Sequence, residues 1–534
     1  MSRVKQIASA SLAGQRIGKQ VGRWALAAGM ACMTANLAWA QDLASFEKRT
    51  TVKVLPNGLT LIVFERPEAP VFSFYTLVDA GSANDPGGES GLAHMFEHMA
   101  FKGTEQIGTT DYAKEKIALA KVEVEEAAYQ FELRRRVGQD PAKLASLKQS
   151  FDAAVKDAQQ YVIPNQFSEI AEQNGATGIN ASTGEDSTQY FWSMPSNRLE
   201  LWAYLESSRI AHPVFREFYK ERDVVQEERR MRTDSSPTGR MVEQLLATAY
   251  TAHPYRVPTV GWESEISKDT ATEAAAFHAL NYTPANIVIA VVGDVKATAV
   301  MPMLERYFAP IPAGPKPEEL ATIEPKQMAE KSVDLHEPTQ PFYIEAYHRP
   351  DYRDPDDAVY DAITDLFSNG RTARLYRALV RDQRIAAEAE GFTSFPGDKY
   401  PSLFAVYAAP LPGHKPDEMR TAIHKQLDLL KTQPISDEEL ARYKTRAKAD
   451  LLRGLGNNEG LAMQLAEYQT RYGDWRELFH QLTRVDAVTK ADVQRVANKI
   501  FVDSNRTSAR IEFTKPVAKP SSPPPAAPPA GGGH

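Results

Sequence analysis

Residues 310–320 read PIPAGPKPEEL, with prolines at 310, 312, 315 and 317. Proline lacks a backbone donor and clashes with the preceding helical turn, so this stretch fits neither a helix interior nor a central strand. It divides the chain. At 534 residues the chain is also longer than a single hydrophobic core ordinarily serves, and at least two domains are expected. The text on each side of the divide follows a loosely similar order. Before it come TVKVLPNGLTLIVFE (51–65), with strands on either side of Pro56-Asn57-Gly58, and a strand in VFSFYTLVDAGS (71–82). An extended stretch at 174–194, the helical FYKERDVVQEERRMR (218–232) and a buried-type strand in NIVIAVVGDV (286–295) complete this half. After it come FYIEAYHRP (342–350), a helix over 357–383, SLFAVYAA (402–409), further helices and TSARIEF (507–513). Two α+β halves of comparable size are expected: 45–312 and 331–515, joined by a linker at 313–330.

Residues 111–162 interrupt the first half with two runs rich in Ala, Glu, Lys and Leu at helical spacing, separated by Gly138-Gln139-Asp140-Pro141. They are read as an inserted helical hairpin. The two ends differ from the rest. Residues 1–40 hold Arg3, Lys5, Arg16, Lys19 and Arg23, no acidic residue, and an apolar run at 24–40 ending in Ala38-Trp39-Ala40. A basic start, a short apolar run and an A-x-A ending are the features of a secretory signal peptide. Cleavage is expected after Ala40, with a periplasmic or secreted product. An uncleaved anchor is the alternative, but the run is short and broken by Asn36. Removing the segment changes the net charge from −7 to −7 − 5 = −12, which argues against nucleic acid or an anionic membrane as a partner, and no stable membrane insertion is expected. It also removes Cys32, the one cysteine; no disulfide and no Cys-bound metal is then expected. The Pro/Ala/Gly-rich end, 516–534, is read as a disordered tail.

Residues 94–98 read HMFEH. On a helix, positions i and i+4 share a face, so His94 and His98 can direct ring nitrogens at one ion while Glu97 projects beside them. A solvated helix face would also accommodate this pattern. Against that, Leu92, Met95, Phe96 and Met99 give the segment an apolar setting in which unpaired histidines would be costly. Two imidazoles and a neighbouring carboxylate suit zinc, which in hydrolases takes three protein ligands and leaves a position for water. One further ligand, a carboxylate, is therefore sought elsewhere.

HMFEHMAFKGT resembles the zinc motif of the inverzincins, the pitrilysin/insulinase family of metallopeptidases that includes the mitochondrial processing peptidases. Three further stretches agree. Glu221-Arg222-Asp223-Val224-Val225-Gln226-Glu227-Glu228 is similar to the family segment that supplies the third ligand. The resemblance implies one zinc ion held by His94, His98 and Glu228, with Glu97 as general base, Glu221 orienting a ligating histidine, and Glu227 at the surface. GINASTGEDSTQYFW is similar to the family's substrate-binding edge strand, which implies that Asn180 and Ala181 contact substrate backbone; a turn-capping role for Asn180 is the plainer alternative. AHPYRVPTVG (252–261) also matches, with no chemistry assigned to His253.

The resemblance further implies α+β halves that are each a mainly antiparallel sheet with helices on one face, together enclosing a chamber. The activity implied is hydrolysis of peptides or unfolded protein segments. Two departures stand out. His98 and Glu228 are 228 − 98 = 130 residues apart, longer than is usual in the family, and the hairpin accounts for the excess. In RLYRALVRDQRIAAEAE (374–390), Val380 and Ala387 occupy the positions of an Arg and a Tyr that stabilise the oxyanion in single-chain members; Arg381 is one residue off. That pattern resembles the zinc-bearing subunit of a two-subunit enzyme, so a homologous partner carrying the Arg/Tyr pair is expected, as a heterodimer, with a homodimer as the alternative. The competing reading is a non-catalytic binding or scaffold subunit of the same fold.

Overall fold

The computed structural model describes residues 43–515; the leader assigned to 1–40 and the tail assigned to 516–534 lie outside the described residues. Eleven strands form two sheets among the described residues. The first contains β1 (Thr50–Val54), β2 (Thr60–Glu65), β3 (Val71–Val78), β4 (Thr177–Thr183), β5 (Thr188–Pro195) and β6 (Ile287–Gly293), in the order β1-β2-β6-β3-β5-β4. The second contains β7 (Lys331–Glu337), β8 (Phe342–Arg349), β9 (Ala386–Phe395), β10 (Ser402–Pro410) and β11 (Arg506–Phe513), in the order β7-β11-β8-β10-β9. With β1 set aside, the two orders are the same permutation. In each sheet the first and last strands of the set, β2 with β6 and β7 with β11, pair in parallel, and the other pairs are antiparallel.

Seven of the described helices belong to the site or to the cores around it: α1 (Leu92–Met99), α2 (Tyr112–Leu133), α3 (Pro141–Gln159), α4 (Phe218–Arg229), α5 (Pro237–Ala249), α6 (Ala271–Asn281) and α7 (Asn458–Tyr472). Side chains alternate across a strand, and both faces of the first sheet are covered. Leu61, Val63, Phe72, Phe74, Ile289 and Val291 face a core shared with Met95, Phe96 and Trp202. Their neighbours Ile62, Phe64, Tyr75, Leu77 and Val292 face Leu461, Leu465 and Trp475, which arrive from the second half. The exchange is mutual. On the second sheet, Phe404 and Val406 face the second half's own helices. Leu403, Ala405, Ala509 and Ile511 are covered instead by Met241, Leu245 and Ala249 of α5, from the first half. Burial on both sides explains why β6 and β10 read as unbroken apolar runs rather than as alternating ones.

Strands β7 and β9 are absent from the sequence expectation. β7 alternates exposed and half-buried residues at a sheet edge. β9 begins Ala-Ala-Glu-Ala-Glu, a composition that favours helix, and pairing with β10 overrides it. The helix expected over 357–383 ends at Ser368; Gly370, at φ 74°, sits in the break, and a π-helical segment follows at Tyr376–Asp382.

Helices α2 and α3 pack on each other, capped by Asp111 and Asp140. The pair is fastened by buried charge. The Arg216 guanidinium donates from Nε to Glu115 Oε1 at 2.8 Å and from Nη2 to Glu115 Oε2 at 3.1 Å. The same group donates to the carbonyls of Lys102, Thr104 and Ile107, in the loop that follows α1. Removing one member of such a buried pair strands the other. Arg216→Met is therefore expected to cost about 3–5 kcal/mol in urea unfolding, with much of the loss recovered in the Arg216→Met/Glu115→Leu double variant. A single variant as stable as the parent contradicts this account.

Candidate metal centre

Gly91 begins α1 at φ 100°, a left-handed conformation that only glycine adopts freely, and a side chain there would lie 2.8 Å from the Val260 carbonyl. A short helix with no side-chain cap of its own needs its amide donors satisfied from elsewhere. The half-buried Asp85 carboxyl group does this, accepting from the Gly91 amide at 2.7 Å and the Ala93 amide at 2.9 Å. Burial pushes Asp85 up to about 8. Leu92, Met95, Phe96 and Met99 hold α1 in the core, which turns His94 and His98 toward α4.

The two helices bring His94, His98 and Glu228 together, with one potential ligand atom from each lying within 4.8 Å of the others. Glu228 Oε2 stands 3.7 Å from His94 Nε2 and 3.5 Å from His98 Nε2. These separations exceed an ordinary hydrogen bond. They approach the edge of a tetrahedron around zinc, about 3.4 Å for bonds near 2.1 Å. The donor set and its spacing therefore fit the ion that the sequence implies. The other Glu228 oxygen, Oε1, pairs with Arg232. Glu221 lies one further layer out: its Oε2 is 3.4 Å from His98 Nδ1 and its Oε1 is 2.6 Å from Lys102 Nζ. Glu221 is thus placed to hold His98 by its second nitrogen, the arrangement that fixes a ligand's tautomer and ring orientation.

The electrostatics follow from this packing. Burial, reinforced by His98, pulls His94 down to about 4. Burial also acts to lower His98, but the carboxylates of Glu221 and Glu228 outweigh it and raise the ring to about 9. Burial acts upward on both carboxylates and is outweighed in turn. His98 and Lys102 bring Glu221 to about 2, and His98, His94 and Arg232 bring Glu228 to about 2. Glu97 is half-buried; burial raises its pKa, and a hydrogen bond from Thr183 at the end of β4 partly offsets the rise. It therefore moves toward the range useful to a base near neutral pH.

Asn180 and Ala181 sit on β4, which is the sheet's edge and pairs only with β5 among the described residues. The Asn180 side chain accepts from the Ala181 amide at 3.0 Å. Glu227 is exposed and pairs with Arg230. His253 is buried and accepts from the Tyr255 amide. Val380 packs against the second core, Ala387 is exposed on β9, and Arg381 pairs with Asp382 at 2.7 Å. Four residues of the site escaped the sequence reading: Lys102, Arg232, Thr183 and Asp85. Lys102 lies within the matched HMFEHMAFKGT and Arg232 four residues beyond Glu228, so spacing alone could have flagged both.

Residues 62–140 match the family model described as insulinase (peptidase family M16), and residues 269–447 match the one described as peptidase M16 inactive domain. The chain is 27% identical over 474 residues to zinc protease PqqE of Helicobacter pylori, covering 86% of this chain and 92% of that one. It is 23% identical over 468 residues to a probable mitochondrial-processing peptidase subunit beta of Arabidopsis thaliana, covering 85% and 77%. The crystal structure of a protease from Helicobacter pylori superposes with a TM-score of 0.71 at 25% identity, over 87% of this chain and 99% of that chain. A peptidase M16 inactive domain structure from Pseudomonas fluorescens shares the fold at a TM-score of 0.69 and 18% identity, over 87% and 98%.

A metal ion and a proton compete for the same nitrogen of His98, while His94 is already neutral near pH 7. The free site is protonated at His98 below about 9, so apparent zinc affinity should rise with pH up to that value. Titration calorimetry of the metal-free chain at pH 7 in buffers of differing ionisation enthalpy should show about one proton released per zinc. Proton-neutral binding contradicts this assignment.

Proposed function

Given that the chain belongs to the insulinase-type M16 peptidase family, we propose that it is an exported zinc metalloendopeptidase acting on peptides or unfolded protein segments. The observation that carries this is the convergence of His94, His98 and Glu228 beside a base, Glu97, that is tied to an edge strand. A zinc ion held by those three residues supplies Lewis acidity, which makes a water nucleophilic near neutral pH. Glu97 takes the proton of the attacking water and returns it to the leaving amine. Substrate backbone adds to the open edge of β4, with Asn180 and Ala181 in contact with it, so an extended peptide is led toward Thr183 and the base beside it. Glu221 and Lys102 keep His98 oriented, and Arg232 holds the outer oxygen of Glu228.

Glu97→Gln keeps the side chain's shape and loses its basicity. It should reduce hydrolysis of an unfolded peptide by about 10²–10⁴-fold, with zinc content by plasma mass spectrometry unchanged. Retained activity would falsify the role given to Glu97.

The neutral side chains of Val380 and Ala387 support a division of labour, in which a homologous partner subunit contributes the oxyanion-stabilising Arg/Tyr pair. The same positions favour the alternative of a binding or scaffold subunit, against which Glu97 weighs, since a scaffold has no use for it. Purified mature chain, without its leader, should hydrolyse peptides weakly by itself and strongly on adding the partner. Full activity of the chain alone removes the two-subunit reading and leaves the peptidase assignment standing.

A further inference from the structure

Helix α2 is built inside out. Its inward face adds Ala118 and Val122 to the core but is dominated by buried polar contacts: besides Glu115 on Arg216, Glu126 pairs with Arg222 at 2.8 Å, and Glu123 accepts from the Tyr219 hydroxyl at 2.6 Å and from Thr272. Its outward face carries Ile117, Val124 and Phe131, seven residues apart, which are 74%, 67% and 74% exposed. Ala120 and Ala127, also exposed, fill the stripe between them. At 1.5 Å per residue the stripe from 117 to 131 is about 21 Å long. Val137, in the turn beyond, is 85% exposed. A surface helix ordinarily turns its apolar stripe to the core and its polar side to water. Here the ligand-bearing region has claimed the polar side, and the apolar one is left outside. Contiguous exposed apolar surface of this kind marks a contact surface.

The charges bordering the stripe say what it contacts. Lys116, Lys121, Arg134, Arg135 and Arg136 are exposed, whereas of the acids on the same helix Glu115, Glu126 and Glu132 are buried and Glu123 and Glu125 are half-buried. The mature chain's net charge of −7 − 5 = −12 disfavours anionic lipid over the molecule as a whole, yet this side presents an apolar stripe edged with cations. A second copy is a poor occupant. Antiparallel seams would oppose Lys116 and Lys121 to Arg134–Arg136, and parallel seams would set each cation against its like. We propose that the outward face of α2 docks on an anionic phospholipid surface. Ile117, Val124 and Phe131 lie below the headgroups, and the Lys and Arg side chains reach up to the phosphates. No described helix is long and apolar enough to cross a membrane, so the contact is peripheral and weakened by salt. Because the inner face of α2 grips α4 and the residues just before it, docking sets the metal centre one helix layer from the lipid.

The test is co-sedimentation of the mature chain with vesicles of mixed phosphatidylcholine and phosphatidylglycerol, against vesicles of phosphatidylcholine alone, at low and high sodium chloride. Binding should require the anionic lipid, fall at high salt, and drop about tenfold or more in Val124→Glu/Phe131→Glu and in Lys116→Glu/Lys121→Glu/Arg136→Glu. Zinc content, unfolding midpoint and hydrolysis of a soluble peptide should stay unchanged in both variants, because these side chains face outward. Absence of pelleting with anionic vesicles at low salt, or equal pelleting of parent and variants, overturns the proposal. Concentration-dependent self-association in sedimentation velocity that disappears in the apolar variant assigns the stripe to a second copy instead. A raised KM for soluble peptide in that variant assigns it to substrate, and either result also overturns the proposal.

Discussion

A charge taken out of water must meet its opposite, and α4 together with Arg216 just before it satisfies that demand in two directions at once. Toward α1, Glu221 and Glu228 face the two imidazoles and are balanced by Lys102 and Arg232. Toward α2, Arg216 and Arg222 meet Glu115 and Glu126, while Arg229 donates to the Gly261 carbonyl and pairs with Glu243. Buried pairs of this kind are poor sources of net stability, but they tolerate few alternative arrangements. The register of α4 against α1 is thereby fixed, and with it the position of Glu228.

The hairpin of α2 and α3 is tied into this network rather than hung on its outside. The buried Arg216 joins α2 to the loop that leaves α1, so the hairpin and the histidine-bearing helix share one set of hydrogen bonds. A long detour between His98 and Glu228 in sequence consequently leaves no slack between them in space. What it does leave is a helix whose hydrophilic side has been used up internally.

The pairing of His94 with His98 was legible from their offset of four on one helical face, whereas Glu228 and Glu221 were reached by resemblance to a family, and the structure brings His94, His98 and Glu228 together. The edge position of β4 and the departures at Val380 and Ala387 were read by resemblance to a family, and composition alone would not have given them. The parts that escaped are those decided by distant partners. β9 looks helical until β10 is beside it, and the polar side of α2 looks solvent-facing until Arg216 and Arg222 are placed. Lys102, Arg232, Thr183 and Asp85 take their meaning from contacts close in space to the cluster of His94, His98 and Glu228 and to Glu97, and a linear text does not state those contacts. The shared strand permutation was likewise visible only as a loose architectural echo, since the matched strands have diverged beyond residue-by-residue comparison.

The mutual loan of helices between the two sheets bears on how the polypeptide is born. As a ribosome emits the first three hundred residues, the strands of the first sheet can assemble. The side lined by Ile62, Phe64, Tyr75 and Val292 is met early only by Phe46 and Leu43, and is otherwise uncovered until Leu461, Leu465 and Trp475 emerge some hundred and seventy residues later. Throughout that delay the nascent chain shows a greasy β surface of the sort that invites aggregation. Synthesis of this protein thus carries a built-in dependence on whatever shields such surfaces, and the dependence ends only when the last third of the chain has been made.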